Sequence, residues 1–183
     1  MYKGVSNKNS TMSLPVPMLN IMNGGCHANN SVDIQEFMII PSNKFNFKDG
    51  LMKSVEVYTH LKNLLKEKEL SVSVGDEGGF APNLKTSEEV LDLIILSIER
   101  AGLIYLDDIS IALDCAASEL FNKDTYRLTG ENKKYSSEEM VVYIQSLVDK
   151  YEIKSVEDPF DETDWNAWKT FTKNNNDLQI VGD

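Results

Sequence analysis

Apolar and polar residues fall in blocks along this chain, and the period within each block predicts an element. Leu14 to Met22 is apolar, broken by Pro15 and Pro17, and stops at Asn23-Gly24-Gly25, as a strand entering a tight turn would. Val32 to Ile40 is a second apolar run, closed by Pro41, and is expected to pair with the first. From Phe47 to Lys68 the spacing turns helical. Leu51, Val55, Tyr58 and Leu65 share one face, and His60 falls among Lys53, Glu56, Asn63 and Glu67 on the other, as a surface histidine. Thr86-Ser87-Glu88-Glu89 has the form of a capping box. The helix it opens turns Val90, Leu91, Ile94, Ile95 and Ile98 inward and ends at Gly102.

Beyond Gly102 strands and helices alternate. Ile109 to Leu113 reads as a strand, and a polar, hairpin-like segment follows. A helix from Ser137 to Lys150 starts behind a second capping box, Ser136 with Glu139. Ile153 to Val156 is the next strand, Asp164 to Thr172 the next helix and Leu178 to Val181 the last strand. Alternation at these lengths implies parallel pairing with helical crossovers, an α/β fold.

Composition narrows the function classes. With 42% hydrophobic and 26% charged residues, the 183-residue chain reads as one globular domain with a sizeable core. Its 18 basic and 29 acidic residues give a net charge of −11, and no basic cluster offsets it, which argues against direct nucleic-acid binding. An acidic chain that binds an anion needs a cation or backbone donors beside it. No apolar run approaches the roughly eighteen residues of a membrane span. Met1 to Ser13 is polar and lacks a signal-peptide core, so a cytoplasmic protein is expected. Cys26 and Cys115 form no Cys-x-x-Cys pair, which fits free thiols in a reducing compartment rather than structural zinc.

Two carboxylate patterns then suggest chemistry. Val74 to Pro82 holds Asp76 and Glu77 in a loop with Gly75, Gly78, Gly79 and Pro82. Carboxylates fixed in such a shaped loop are candidates for acid–base work, although a solvated acidic turn looks the same in isolation. Further on, three consecutive strands end in acids: Asp114, Glu157-Asp158 and Asp183. Parallel strands place their carboxyl ends on one side, so these acids are expected to converge. A single acid there is as readily a helix N-cap. Three partly buried anions together need a cation, and an all-oxygen set without cysteine or histidine suits Mg²⁺ better than zinc.

With those residues in view, the chain resembles the enolase family. The matching stretches are Leu-Pro-Val-Pro-Met-Leu-Asn-Ile-Met-Asn-Gly-Gly from Leu14, Asp33-Ile-Gln-Glu-Phe-Met, and Val-Gly-Asp-Glu-Gly-Gly-Phe-Ala-Pro-Asn from Val74. Leu-Asp-Cys-Ala-Ala-Ser-Glu from Leu113, Val-Glu-Asp-Pro-Phe from Val156 and the final Ile-Val-Gly-Asp complete the likeness. The resemblance implies a TIM-type barrel whose first two strands are antiparallel and are followed by two helices before regular strand–helix units. It implies Mg²⁺-dependent dehydration of 2-phosphoglycerate to phosphoenolpyruvate, with Asp114, Glu157 and Asp183 as metal ligands. Glu77 then corresponds to the proton donor and Glu36 to the acid beside it. Gln35 and His27 contact substrate, as do Glu36, Glu157 and Asp183 near the metal. Like charge from Glu36 is expected to favour protonated Glu77. Enolase-superfamily sites in general combine a Lys or His base with one or two Mg²⁺ ions.

The resemblance also implies parts not found in this sequence. A barrel of this kind takes about 250 residues, whereas the last strand read here is the fifth. The family's base lysine, a second active-site lysine and a His-Arg-Ser clamp are expected after Asp183, and an N-terminal domain before Met1. Residues 1–13 then read as the tail of the connection from that domain, and 14–183 as an incomplete C-terminal barrel. The expectation is a fragment that is inactive alone, in a protein that assembles as a homodimer or larger homo-oligomer at full length. A non-catalytic enolase-fold binding protein, or the product of a decayed gene, is the competing reading. The family also occurs at cell surfaces.

Overall fold

The computed structural model describes residues 14–183, so the connection expected over 1–13 lies outside the described residues. In chain order these form β1 (Leu19–Asn23), β2 (Glu36–Pro41), α1 (Phe47–Glu67), α2 (Ser87–Arg100) and β3 (Ile109–Asp114). The short strands β4 (Phe121–Asn122), β5 (Thr125–Leu128) and β6 (Lys133–Tyr135) follow, then α3 (Ser137–Tyr151), β7 (Ser155–Glu157), α4 (Trp165–Asn174) and β8 (Gln179–Val181). The main sheet has the order β1-β2-β3-β7-β8. Its first two ladders are antiparallel and its last two parallel. That is the α/β order expected, and the sheet stays open, with β1 and β8 at its edges, as a partial TIM-type barrel.

The two faces of the sheet differ. Phe37, Ile39, Ile111, Leu113 and Val156 are buried in one core with the inward residues of α1, α2 and α3. The other face carries Met38, Ala112, Ser155 and Gln179 in one row and Glu36, Asp114 and Glu157 in the next. Alternation along each strand therefore separates an apolar packing face from a mixed face whose last row is acidic.

Several expected boundaries shift for local reasons. β1 begins at Leu19 rather than Leu14, because Pro15 and Pro17 have no amide to give a ladder. β2 begins at Glu36 rather than Val32, since Val32 and Gln35 spend their carbonyls on Gly25 and Gly24 at 2.7 and 2.9 Å. On α1 the expected face is out of phase. Gly50, Ser54, Val57, Leu61, Leu64 and Leu65 point inward, whereas Leu51 and Val55 are exposed. At Gly50 a Cβ would come 3.1 Å from the Pro41 ring, so small residues let the helix lie close to the sheet. α2 keeps half of its capping box: the Thr86 hydroxyl accepts from the Glu89 amide, but the Glu89 carboxylate takes the Lys85 amide. The box at Ser136 and Glu139 is complete.

The polar segment after β3 forms a small antiparallel sheet, β4-β5-β6. Buried Asp33 ties it to the first loop, accepting the amides of Gly130 and Glu131 at 3.0 Å each.

Candidate active site

The ladders set a transverse row across the sheet: Asn23, Glu36, Asp114, Glu157 and Val181 are register partners in turn. Residues directly opposite share a face, so three carboxylates project side by side. Crowding raises their proton affinity. Burial, then the charges of Glu77 and Asp114, a hydrogen bond with Glu77 and the charge of Glu157 push Glu36 up to a pKa of about 7. Burial also raises Asp114; the Ala116 amide opposes it, the Asp158 charge adds to it, and the Gln35 amide opposes it. Those two donors hold the Asp114 oxygens at 3.0 and 3.3 Å. Glu157 is raised by burial and then by Asp114, Asp158 and Asp183.

The loop from Val74 to Pro82 reaches this row because its backbone is laced to β1. The Phe80 amide donates to the Ile21 carbonyl and the Asn23 amide to the Phe80 carbonyl, both at 2.9 Å. The Asp76 amide donates to the His27 carbonyl at 3.1 Å, and the Gly75 amide to the Gly79 carbonyl at 2.8 Å. Such close approach requires glycine: a Cβ at Gly75 would sit 2.4 Å from the His27 carbonyl oxygen, and one at Gly79 2.6 Å from Asn23 Oδ1. The lacing brings potential ligand atoms of His27, Glu36 and Glu77 within 4.8 Å of one another. His27 Nδ1 lies 3.4 Å from Glu36 Oε1 but is buried without a hydrogen-bond partner, as is Asn23 Oδ1. Asp76 and Glu77 themselves are exposed.

The structure thus gathers His27, Gln35, Glu36, Glu77, Asp114 and Glu157 at one end of the sheet. Asp183 stands apart. Val181, not Asp183, is the register partner of Glu157, so Asp183 lies two residues past the row and is exposed. Among the described residues, Asp114, Glu157 and Asp183 do not draw together within 4.8 Å as the histidine group does. Instead the Asp183 amide donates to Asp158 Oδ1 at 3.0 Å.

Two further residues at the site have no role assigned from the sequence, although Asp158 stands among the strand-end acids. Asp158 takes a left-handed conformation at φ 42° and adds its charge to Asp114 and Glu157. Its place beside Glu157 in Glu-Asp-Pro was the available signal. Asn23 is 1% exposed, and its only sequence mark was the Asn-Gly-Gly turn. A cleft of about 820 Å³ between α4 and the β8 edge, lined by Trp165, Trp168 and Phe160, opens beside Asp158 and Asp183. The donors offered by Asp114 and Glu157 are carboxylate oxygens of raised proton affinity, a set that fits a hard divalent cation.

Comparison with known proteins bears on the family of this chain. The model of the family described as enolase, C-terminal TIM barrel domain, matches residues 11–183. An enolase of Wolinella succinogenes is 50% identical over 185 residues, covering 100% of this chain and 44% of that protein. An enolase of Legionella pneumophila, strain Corby, is 47% identical over 178 residues, covering 97% of this chain and 42% of that protein. The chain therefore spans less than half the length of these curated relatives.

Proposed function

The chain belongs to the enolase family, and from that premise we propose that it serves the reversible, Mg²⁺-dependent dehydration of 2-phospho-D-glycerate to phosphoenolpyruvate. The observation that carries the reading is the convergence of His27, Glu36 and Glu77 within 4.8 Å, next to the Glu36–Asp114–Glu157 row. Residues 14–183 are read as the first part of the barrel domain.

Asp114 and Glu157 would hold Mg²⁺, with Asp183, two residues past their row, as the third ligand that the family likeness implies. The ion when bound would supply positive charge to offset the substrate carboxylate as its neighbouring proton is lost. Gln35 orients Asp114 through its amide at 3.3 Å. Glu77, exposed on its loop, delivers a proton to the departing 3-hydroxyl so that it leaves as water. Glu36, its pKa pushed up to about 7 by burial and neighbouring charge, stands beside Glu77 in the same group. His27 contacts substrate from the loop after β1, with Nδ1 free to accept or donate. The base is not assigned to any residue of 14–183.

The test is production of phosphoenolpyruvate from 2-phosphoglycerate, followed by its enol absorbance, in the protein expressed at the length of its relatives. Turnover that requires Mg²⁺ is expected. A folded protein of that length with no turnover overturns the reading.

A further inference from the structure

We propose that Tyr58, on α1, is a positioning residue that fixes Glu77 against Glu36 and His27; this rests on the reading of Glu77 as proton donor. The loop that carries Glu77 is held on the β1 side, through both backbone groups of Phe80 on β1 and the Asp76 amide on the His27 carbonyl in the turn after it. Beyond Asp76 little packs around its tip: a Cβ built at Gly78 would meet nothing within 4 Å, and Glu77 is exposed. A backbone segment with so little packing around it is the kind that opens locally.

Tyr58 supplies the second anchor. Its hydroxyl donates to the Gly78 carbonyl at 2.8 Å, the one side-chain hydrogen bond to the backbone of residues 75–79 among the described residues. Its ring stacks on Phe80, centroids 4.3 Å apart and 14° from parallel. Phe80 is 2% exposed and bonded through its backbone to β1 on both sides. One side chain therefore grips the loop at two points, one residue and three residues past Glu77. Gly78 itself sits at φ 82° and has no side chain of its own to brace it. A general acid displaced by an ångström loses much of its rate advantage, so a hydrogen bond at the tip becomes a lever on turnover.

Tyr58→Phe removes the hydroxyl and keeps the stack; Tyr58→Leu removes both. Amide exchange at Gly75 and Gly78, which are hydrogen-bonded within the loop, is measured in the 183-residue chain. Turnover is measured in the protein at the length of its relatives. For Tyr58→Phe, exchange about threefold to tenfold faster is expected, with kcat lower by about the same factor, the rate equivalent of one hydrogen bond. KM stays at the parental value and the melting temperature falls by no more than about 4 °C, and Tyr58→Leu is more severe in both readouts. Parental exchange in Tyr58→Phe overturns the clamp. Faster exchange with parental kcat overturns the positioning role, as does a lower melting temperature with kcat untouched. If the unsubstituted protein has no turnover, the proposed function fails by itself, while the exchange rates still decide whether Tyr58 holds the loop.

Discussion

Glu36 lies directly opposite Asp114 at the end of the β2–β3 ladder, and Asp114 is in turn opposite Glu157. Like charges facing one another across a ladder destabilise a sheet. Nothing in the local sequence requires this: an amide at any of the three positions would fit the same backbone. A proton on Glu36, favoured up to about pH 7, relieves part of the repulsion. A cation between the remaining carboxylates relieves the rest, and that division of labour leads to the first two predictions.

Mg²⁺ is expected to stabilise the folded chain above pH 8, where Glu36 is ionised. At a hundred times its Kd, a ligand specific to the folded state adds about 2.7 kcal/mol. Asp114→Asn and Glu157→Gln each raise the metal-free melting temperature by removing a repelling charge, and each abolishes the Mg²⁺-dependent increase. Thermal melts with and without Mg²⁺ decide this. An increase that survives in both variants shows that the ion binds elsewhere.

Glu77 is assigned to proton transfer and not to the metal. Glu77→Gln should therefore leave the Mg²⁺-dependent rise in melting temperature intact. In the protein at the length of its relatives it should lower turnover by about a hundredfold or more, the usual scale for losing a general acid. Loss of Mg²⁺ binding along with turnover would make Glu77 a ligand.

What the sequence made legible was set by how local each cause is. Strand-end acids stood out because a β-branched run such as Ile109 to Leu113 stops at Asp114, and that stop is local. The family motifs carried His27, Gln35 and Glu36, which no spacing rule marked. Register is not local. Asp183 closes its strand as visibly as Asp114 does, yet the parallel pairing puts Val181 beside Glu157 and leaves Asp183 beyond the row. The phase of α1 was hidden for a related reason. Apolarity marks a helix face only where apolar side chains do the packing, and the first turns of α1 bury Gly50, against Pro41 of β2, and Ser54 instead. The Leu51–Val55 stripe obeys the right period on the wrong side.

The glycines of the acidic loop are predicted to be indispensable for its position. Gly75→Ala and Gly79→Ala each force a methyl against backbone or Asn23, at 2.4 and 2.6 Å, and the laced partner strand cannot yield. Each should cost about 1–3 kcal/mol by overpacking, read as a lower urea midpoint. Each should also disperse the His27–Glu36–Glu77 group, read as faster exchange of the Asp76 amide that now donates to His27. Gly78→Ala meets no atom and pays only for its φ of 82°. It should be the mildest of the three; an equal loss at Gly78 would mean that backbone conformation, not close approach, sets the loop.

The last prediction concerns pH and lies away from the site. Glu131 joins the small sheet to α2 and α3: its carboxylate, 3% exposed, accepts from the Ser87 amide and hydroxyl, the Tyr143 hydroxyl and Lys133 Nζ. Burial alone would raise its pKa, but Lys133, the Ser87 amide and the Tyr143 hydroxyl outweigh burial and bring it below its ordinary 4.5. The unfolded chain therefore binds this proton at a higher pH than the folded one does. The resulting stability is present in full above pH 4.5 and is lost as pH falls through the lower folded value. In urea titrations from pH 7 to pH 3, the unsubstituted chain should lose more stability below pH 4.5 than Glu131→Gln, whose neutral amide titrates nowhere in that range. Parallel curves for the two proteins would mean that the Ser87–Tyr143–Lys133 cradle holds the neutral acid as firmly as the carboxylate.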